Sequence, residues 1–147
     1  MSVYRRILLI VDLTDDSLFI GRRAAAIAAA LDAEIELLHV VELIPLEPVG
    51  ETLMPSVQIE DELIERARSR LAELAAKLGV PDAHCQVEIG TVKADIMRIA
   101  RDRGSDLIVL GSRERHGLSI LVNFTEDTVL HGAPCDVLAV RVGAAGK

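Results

Sequence analysis

The residues best suited to chemistry lie in GSRERHGLS, Gly111–Ser119, directly after the apolar run LIVL, Leu107–Leu110. A glycine at the end of such a run lets backbone N–H groups approach phosphate oxygens with no Cβ in the way. Ser112 adds a hydroxyl. Arg113 and Arg115 add guanidinium forks that match a phosphate, and His116 follows them. Glu114 works against them. At 4 Å two like charges repel by about 1 kcal/mol in bulk water and several-fold more near a protein surface. A solvated charged loop is the competing reading of RERH. Asp12 closes RRILLIVD and Val40 nearly closes EIELLHVV, so both belong to the same end of a sheet. Asp12 reads either as a ligand-facing carboxylate or as a strand-end or cap carboxylate satisfied by backbone N–H groups. His39 reads as a strand-end packing residue.

Other chemistry finds little support. Gly111-Ser112 is a GS pair without the GxSxG elbow. Gly90-Thr91-Val92-Lys93 lacks the GxxxxGK[ST] pattern of a phosphate loop, and Thr91 reads as an N-cap. The four histidines show no metal-ligand spacing, and Cys85 and Cys135 have no Cys or His partner at such spacing. Both cysteines read as small packing residues. The expectation is a non-enzyme with no catalytic residues, no metal and no resident cofactor.

These residues need a scaffold. Arg5–Val11 is a run rich in branched residues, as in a strand buried on both faces. Ser17–Ala33 carries Ile20, Ala24, Ile27, Ala28 and Leu31 at helical steps, with Gly21 a slight weakness. Glu34–Val41 is a second strand. The stretch after it, ELIPLEPVGETLMPSVQ, holds three of the five prolines and reads as a long loop. Ile59–Gly79 is the strongest helix, with Leu63, Ala67, Arg70, Leu71, Leu74 and Leu78 on one face and Gly79 closing it. His84–Gly90 alternates and suits a strand near an edge. Val92–Gly104 is a helix with Ile96, Ile99 and Ala100 inward. DLIVLGS, Leu118–Gly132 and Asp136–Val142 follow as strand, helix and strand. Strands separated by helices imply parallel pairing through right-handed crossovers. The fold class is α/β: one open five-stranded parallel sheet with helices on both faces, Rossmann-like, in one domain spanning 1–147. Such sheets bind ligands beyond the carboxyl ends of their strands.

Composition narrows the classes. Half of the 147 residues are apolar and 27% are charged, with one Tyr, two Phe and no Trp, so the core is aliphatic. A net charge of −7 argues against nucleic acid, which needs a basic face. No apolar run approaches the ~18 residues of a membrane span. The N-terminal apolar run ends at Asp12 and is no signal peptide, which points to a cytoplasmic protein.

RRILLIVDLTDDS, ELLHVVE, DLIVLGSRERHGLS and APCDVLAVR together resemble strands and turns of the universal stress protein family, and the resemblance runs along nearly the whole chain. It implies a small α/β domain that forms homodimers, often by pairing last strands. It also implies two subclasses, of which one binds ATP or another adenine nucleotide and one, similar to universal stress protein A, generally does not. In the binding subclass the fourth strand ends in Gly, two residues, Gly, nine residues, then Gly and Ser or Thr. Here Gly111 matches, but the second position is Glu114. The third falls on Phe124 or, aligned back from APCDV, on Asn123, and Gly117 stands at the wrong spacing. The resemblance assigns Asp12 and Val40 to the adenine side of the pocket. Two readings follow. One is a homodimer, joined through its last strand, that acts on an unknown protein partner without a complete ATP loop. The other is an AMP or ATP sensor in which Ser112, Arg113 and Arg115 stand in for the missing glycines around Gly111.

Overall fold

The computed structural model of the chain describes residues 2–42, 56–113, 129 and 131–142. Strands β1 (Arg6–Ile10), β2 (Glu34–Val41), β3 (Cys85–Ile89), β4 (Leu107–Arg113) and β5 (Asp136–Val142) alternate with helices α1 (Ser17–Leu31), α2 (Ser56–Leu78) and α3 (Val92–Arg103). A 3₁₀ turn, Asp82–His84, leads into β3. Val129, His131 and Gly132 are helical, so the helix read over Leu118–Gly132 is described only at its end. The proline-rich stretch lies mostly outside the described residues.

The strands form one parallel sheet in the order β3-β2-β1-β4-β5. Side chains alternate between its faces, and each face has its own aliphatic core. Ile7, Leu9, Leu37, Val109 and Val140 pack with Ile20, Ala24 and Ala28 of α1 and Leu71, Leu74 and Ala75 of α2. Leu8, Leu38, Val40, Ile108 and Leu110 pack with Ile96, Ile99 and Ala100 of α3 and with Val129. The central strands β1 and β4 are buried from both sides, which is why they read as unbroken apolar runs.

β2 and β5 have the expected limits. β1 is shorter by a residue at each end, although Val11 N–H still donates to Leu38 O at 2.8 Å. α2 begins at Ser56, three residues before the expected Ile59. Gly21 is buried where α1 meets α2, and a Cβ there would stand 2.7 Å from Leu78 Cδ1. Its cost to the helix is thus offset by close helix packing. Arg103 of α3 bonds Glu36 of β2 at 2.8 Å and Gln86 of β3 at 2.6 Å, so charges rim the apolar contact under that helix.

Candidate functional site

The chain leaves β1 toward β2 and later returns on its other side at β4. That reversal places the switch point between the carboxyl ends of β1 and β4, where an open α/β sheet leaves a crevice. Asp12 follows β1, and Gly111, Ser112 and Arg113 end β4 beside it. Val40 lies one strand away, toward the end of β2.

Asp12 organises its own turn. Its Oδ1 accepts from Thr14 N at 3.2 Å, Thr14 Oγ at 2.8 Å and Ser17 Oγ at 3.0 Å. Ser17 is buried, so this carboxylate also satisfies a polar group that would be costly alone. The bonds pull the chain sharply around Leu13, whose φ is +56°. An L-residue in that region costs roughly 1–2 kcal/mol. Leu13 is held there by its packing against the α1/α2 core and by Arg70 of α2, whose Nη2 donates to Leu13 O at 2.5 Å. His39 Nδ1 lies 2.6 Å from Val11 O. A carbonyl only accepts, so Nδ1 carries the proton and the ring is a strand-end brace. Both expectations of a structural role, for Asp12 and for His39, have a physical counterpart here.

Gly111 and Ser112 lie in the fourth strand, as expected: Gly111 continues β4, pairing in register with Val140, while Ser112 and Arg113 pair with Arg141 and Val142. A Cβ at Gly111 would overlap Ile20 Cδ1 of α1. Ile20 is 3% exposed, so the first turns of α1 press on the strand at this residue. Core packing therefore favours glycine here whether or not a phosphate ever approaches. Val40 is buried with its side chain in the α3-side core, and its backbone pairs opposite Glu88. Arg115, like Glu114, His116, Gly117, Asn123 and Phe124, lies outside the described residues.

Sequence reasoning missed Glu42. Its Oε1 accepts from Val92 N at 2.9 Å, placing a carboxylate on the amino end of α3. Thr91 occupies the N-cap position but makes no side-chain cap bond. The only signal was an acidic residue directly after β2, and the sheet register that brings it to α3 is not a local property. Arg70 was likewise read as part of an apolar face; it is exposed and reaches Leu13 O.

Cys85 and Cys135 are thiols, each half-buried against one face of the core. Burial pushes both thiols up, with Asp82 adding to the effect at Cys85. At Cys135, Asp106 and Asp136 add to it and a backbone bond at Ile108 partly opposes it. Among the described residues no group of three or more His, Cys, Asp or Glu is placed to hold a metal ion. No described helix is long and apolar enough to cross a membrane.

The sequence profile of the Universal stress protein family matches residues 3–141. The chain is 38% identical over 143 residues to universal stress protein A homolog 2 of Coxiella burnetii, covering 97% of this chain and 98% of the relative. It is 36% identical over 138 residues to universal stress protein A homolog 1 of the same organism, covering 93% and 96%. In fold it is similar to a universal stress protein crystallised in complex with cAMP, with a TM-score of 0.64 and 22% identity over 95% of this chain and 98% of that one.

Proposed function

The chain belongs to the universal stress protein family, and from that premise we propose that it is a cytoplasmic stress-response regulator that works through protein contacts as a homodimer, is not an enzyme, and does not hold a triphosphate at the end of β4. The observation that carries this reading is the contact of Gly111 with Ile20. The one glycine that matches a nucleotide loop has a packing role of its own. Asp12 in the same crevice is engaged in bracing the β1–α1 turn. The homodimer is supported by β5, an outermost strand of seven residues whose far edge would be covered by a two-fold copy.

A second reading is favoured by the likeness to a solved relative in complex with cAMP. In it Asp12 and Val40 hold a nucleoside, with Gly111, Ser112, Arg113 and Arg115 around the phosphate of AMP or ATP. Acid extraction of the purified protein, followed by calorimetric titration with ATP and AMP, separates the two. No adenine absorbance and no heat at micromolar concentrations are expected, and micromolar binding of either nucleotide overturns the first reading. Light scattering should give twice the mass of one chain, and a monomer would remove the homodimer.

A further inference from the structure

The other margin of the sheet has a different character. β3 is the outermost strand opposite β5, and among the described residues no strand pairs with its far side. Gly90 N–H donates to Val41 O at 3.1 Å. In a parallel ladder alternate residues point their backbone groups at opposite neighbours. Gln86, Glu88 and Gly90 therefore face β2, and the N–H and C=O of Val87 and Ile89 face outward. The Cys85 N–H is taken by Asp82 O, which leaves its carbonyl on the same outer side. The strand, CQVEI, carries neither lysine nor proline, two of the residues that commonly blunt an edge.

Beside this edge runs a groove of about 500 Å³, walled by Arg68, Ser69, Leu71 and Ala72 of α2 and by Val87, with Asp82 at one end. Its lining is mixed: Leu71, Ala72 and Val87 give it apolar surface, and Arg68, Ser69 and Asp82 polar surface, with Val87 and Cys85 leaning toward the α2-side core. α2 descends from the carboxyl end of β2 to the amino end of β3, so Arg68 stands on the wall toward the carboxyl end of β3. Asp82 immediately precedes β3 at its amino end. Arg68 pairs with Glu65 at 3.1 Å, with the two side chains 62% and 71% exposed. Such a surface pair is weak and can be exchanged for a better-placed carboxylate.

A row of outward amides, a trough of mixed apolar and polar lining beside it and one charge of each sign along it match the chemistry of an extended peptide. We propose that the outer edge of β3 binds an extended segment of a partner protein by strand addition. The segment pairs with Val87 and Ile89. It lays alternate apolar side chains into the α2 groove, with an acidic residue at Arg68 and a basic one toward Asp82. This deepens the protein-contact reading and rests on it, but it does not depend on the homodimer or on β5.

The test uses the full chain and fluorescein-labelled peptides of alternating Val and Thr, with Glu near one end and Lys near the other, made in both orders to cover both strand directions. Fluorescence polarisation should give a Kd below about 100 µM for one order. N-methylation of one alternate set of peptide amides should weaken binding about tenfold, and of the other set hardly at all, because only one set faces the ladder. Arg68→Glu, an exposed change that leaves circular dichroism unaltered, should also weaken binding about tenfold, and exchanging the peptide's Glu for Lys should restore it. No polarisation change with either order up to about 1 mM overturns the proposal. So does binding that ignores which amides are methylated or ignores the charge exchange. A monomeric protein that still binds the peptide sinks the homodimer alone, whereas a dimer that does not bind it sinks strand addition alone.

Discussion

Replacing Gly111 by alanine places a methyl in steric overlap with Ile20 Cδ1. The neighbouring atoms give little room to retreat, since Val109, Val140 and Ile20 are all buried. Overpacking of this kind costs typically 1–3 kcal/mol. The lower backbone entropy of alanine in a strand returns about 0.5–1 kcal/mol. Gly111→Ala should therefore destabilise the fold by about 1–2 kcal/mol, lowering Tm by roughly 2–4 °C per kcal/mol for a chain of this size. Ile20→Val removes the methyl in conflict and alone should cost about 1 kcal/mol. In the double variant the new Cβ takes the vacated space, so its loss should fall short of the sum of the single losses by about 1 kcal/mol or more. Urea unfolding followed by circular dichroism measures all three. Single losses that add within about 0.5 kcal/mol would refute the reasoning and leave Gly111 to be explained by a ligand after all.

Two further perturbations probe the same end of the sheet and its cysteines. Glu42→Ala removes the carboxylate from Val92 N–H and should lower stability by about 0.5–1 kcal/mol in low salt, a loss that shrinks as salt is added; a loss unchanged by salt would speak against an electrostatic cap. Because burial raises the Cys85 and Cys135 thiols, the native state keeps their protons to higher pH than the unfolded chain. Their contribution to stability is thus complete below the unfolded thiol pKa and is lost as pH rises through the folded one. Iodoacetamide labelling at pH 8 should be slower in the native protein than in urea; equal rates would remove the shift.

Much of the scaffold was legible because its causes are local. Glu34–Val41 and Asp136–Val142 end where their apolar patterns end, and α3 buries the Ile96, Ile99 and Ala100 that its spacing selects. Strand–helix alternation was enough to imply a parallel sheet, because a crossover must return the chain in the same direction. The candidate site was legible only in part. Asp12 could be read as a strand-end carboxylate, but its hold on Ser17 and the left-handed Leu13 depends on how tightly the turn closes. Gly111 was read within the strand DLIVLGS, and β4 does carry it, running on to Arg113. Nothing in the run says that α1 will press on the strand at Gly111.

The sequence by itself determined the two-faced aliphatic sheet, the helices that cover it and the absence of glycine at the second and third positions of a nucleotide loop. Those follow from residue types and their periods, which act over one turn or one pleat. Only the tertiary structure decided which α1 atom meets Gly111, that Glu42 meets the amino end of α3, and that Val87 and Ile89 turn their amides outward beside α2. Each of these joins residues far apart in the chain through the order and register of the sheet, and side-chain periodicity carries no record of either.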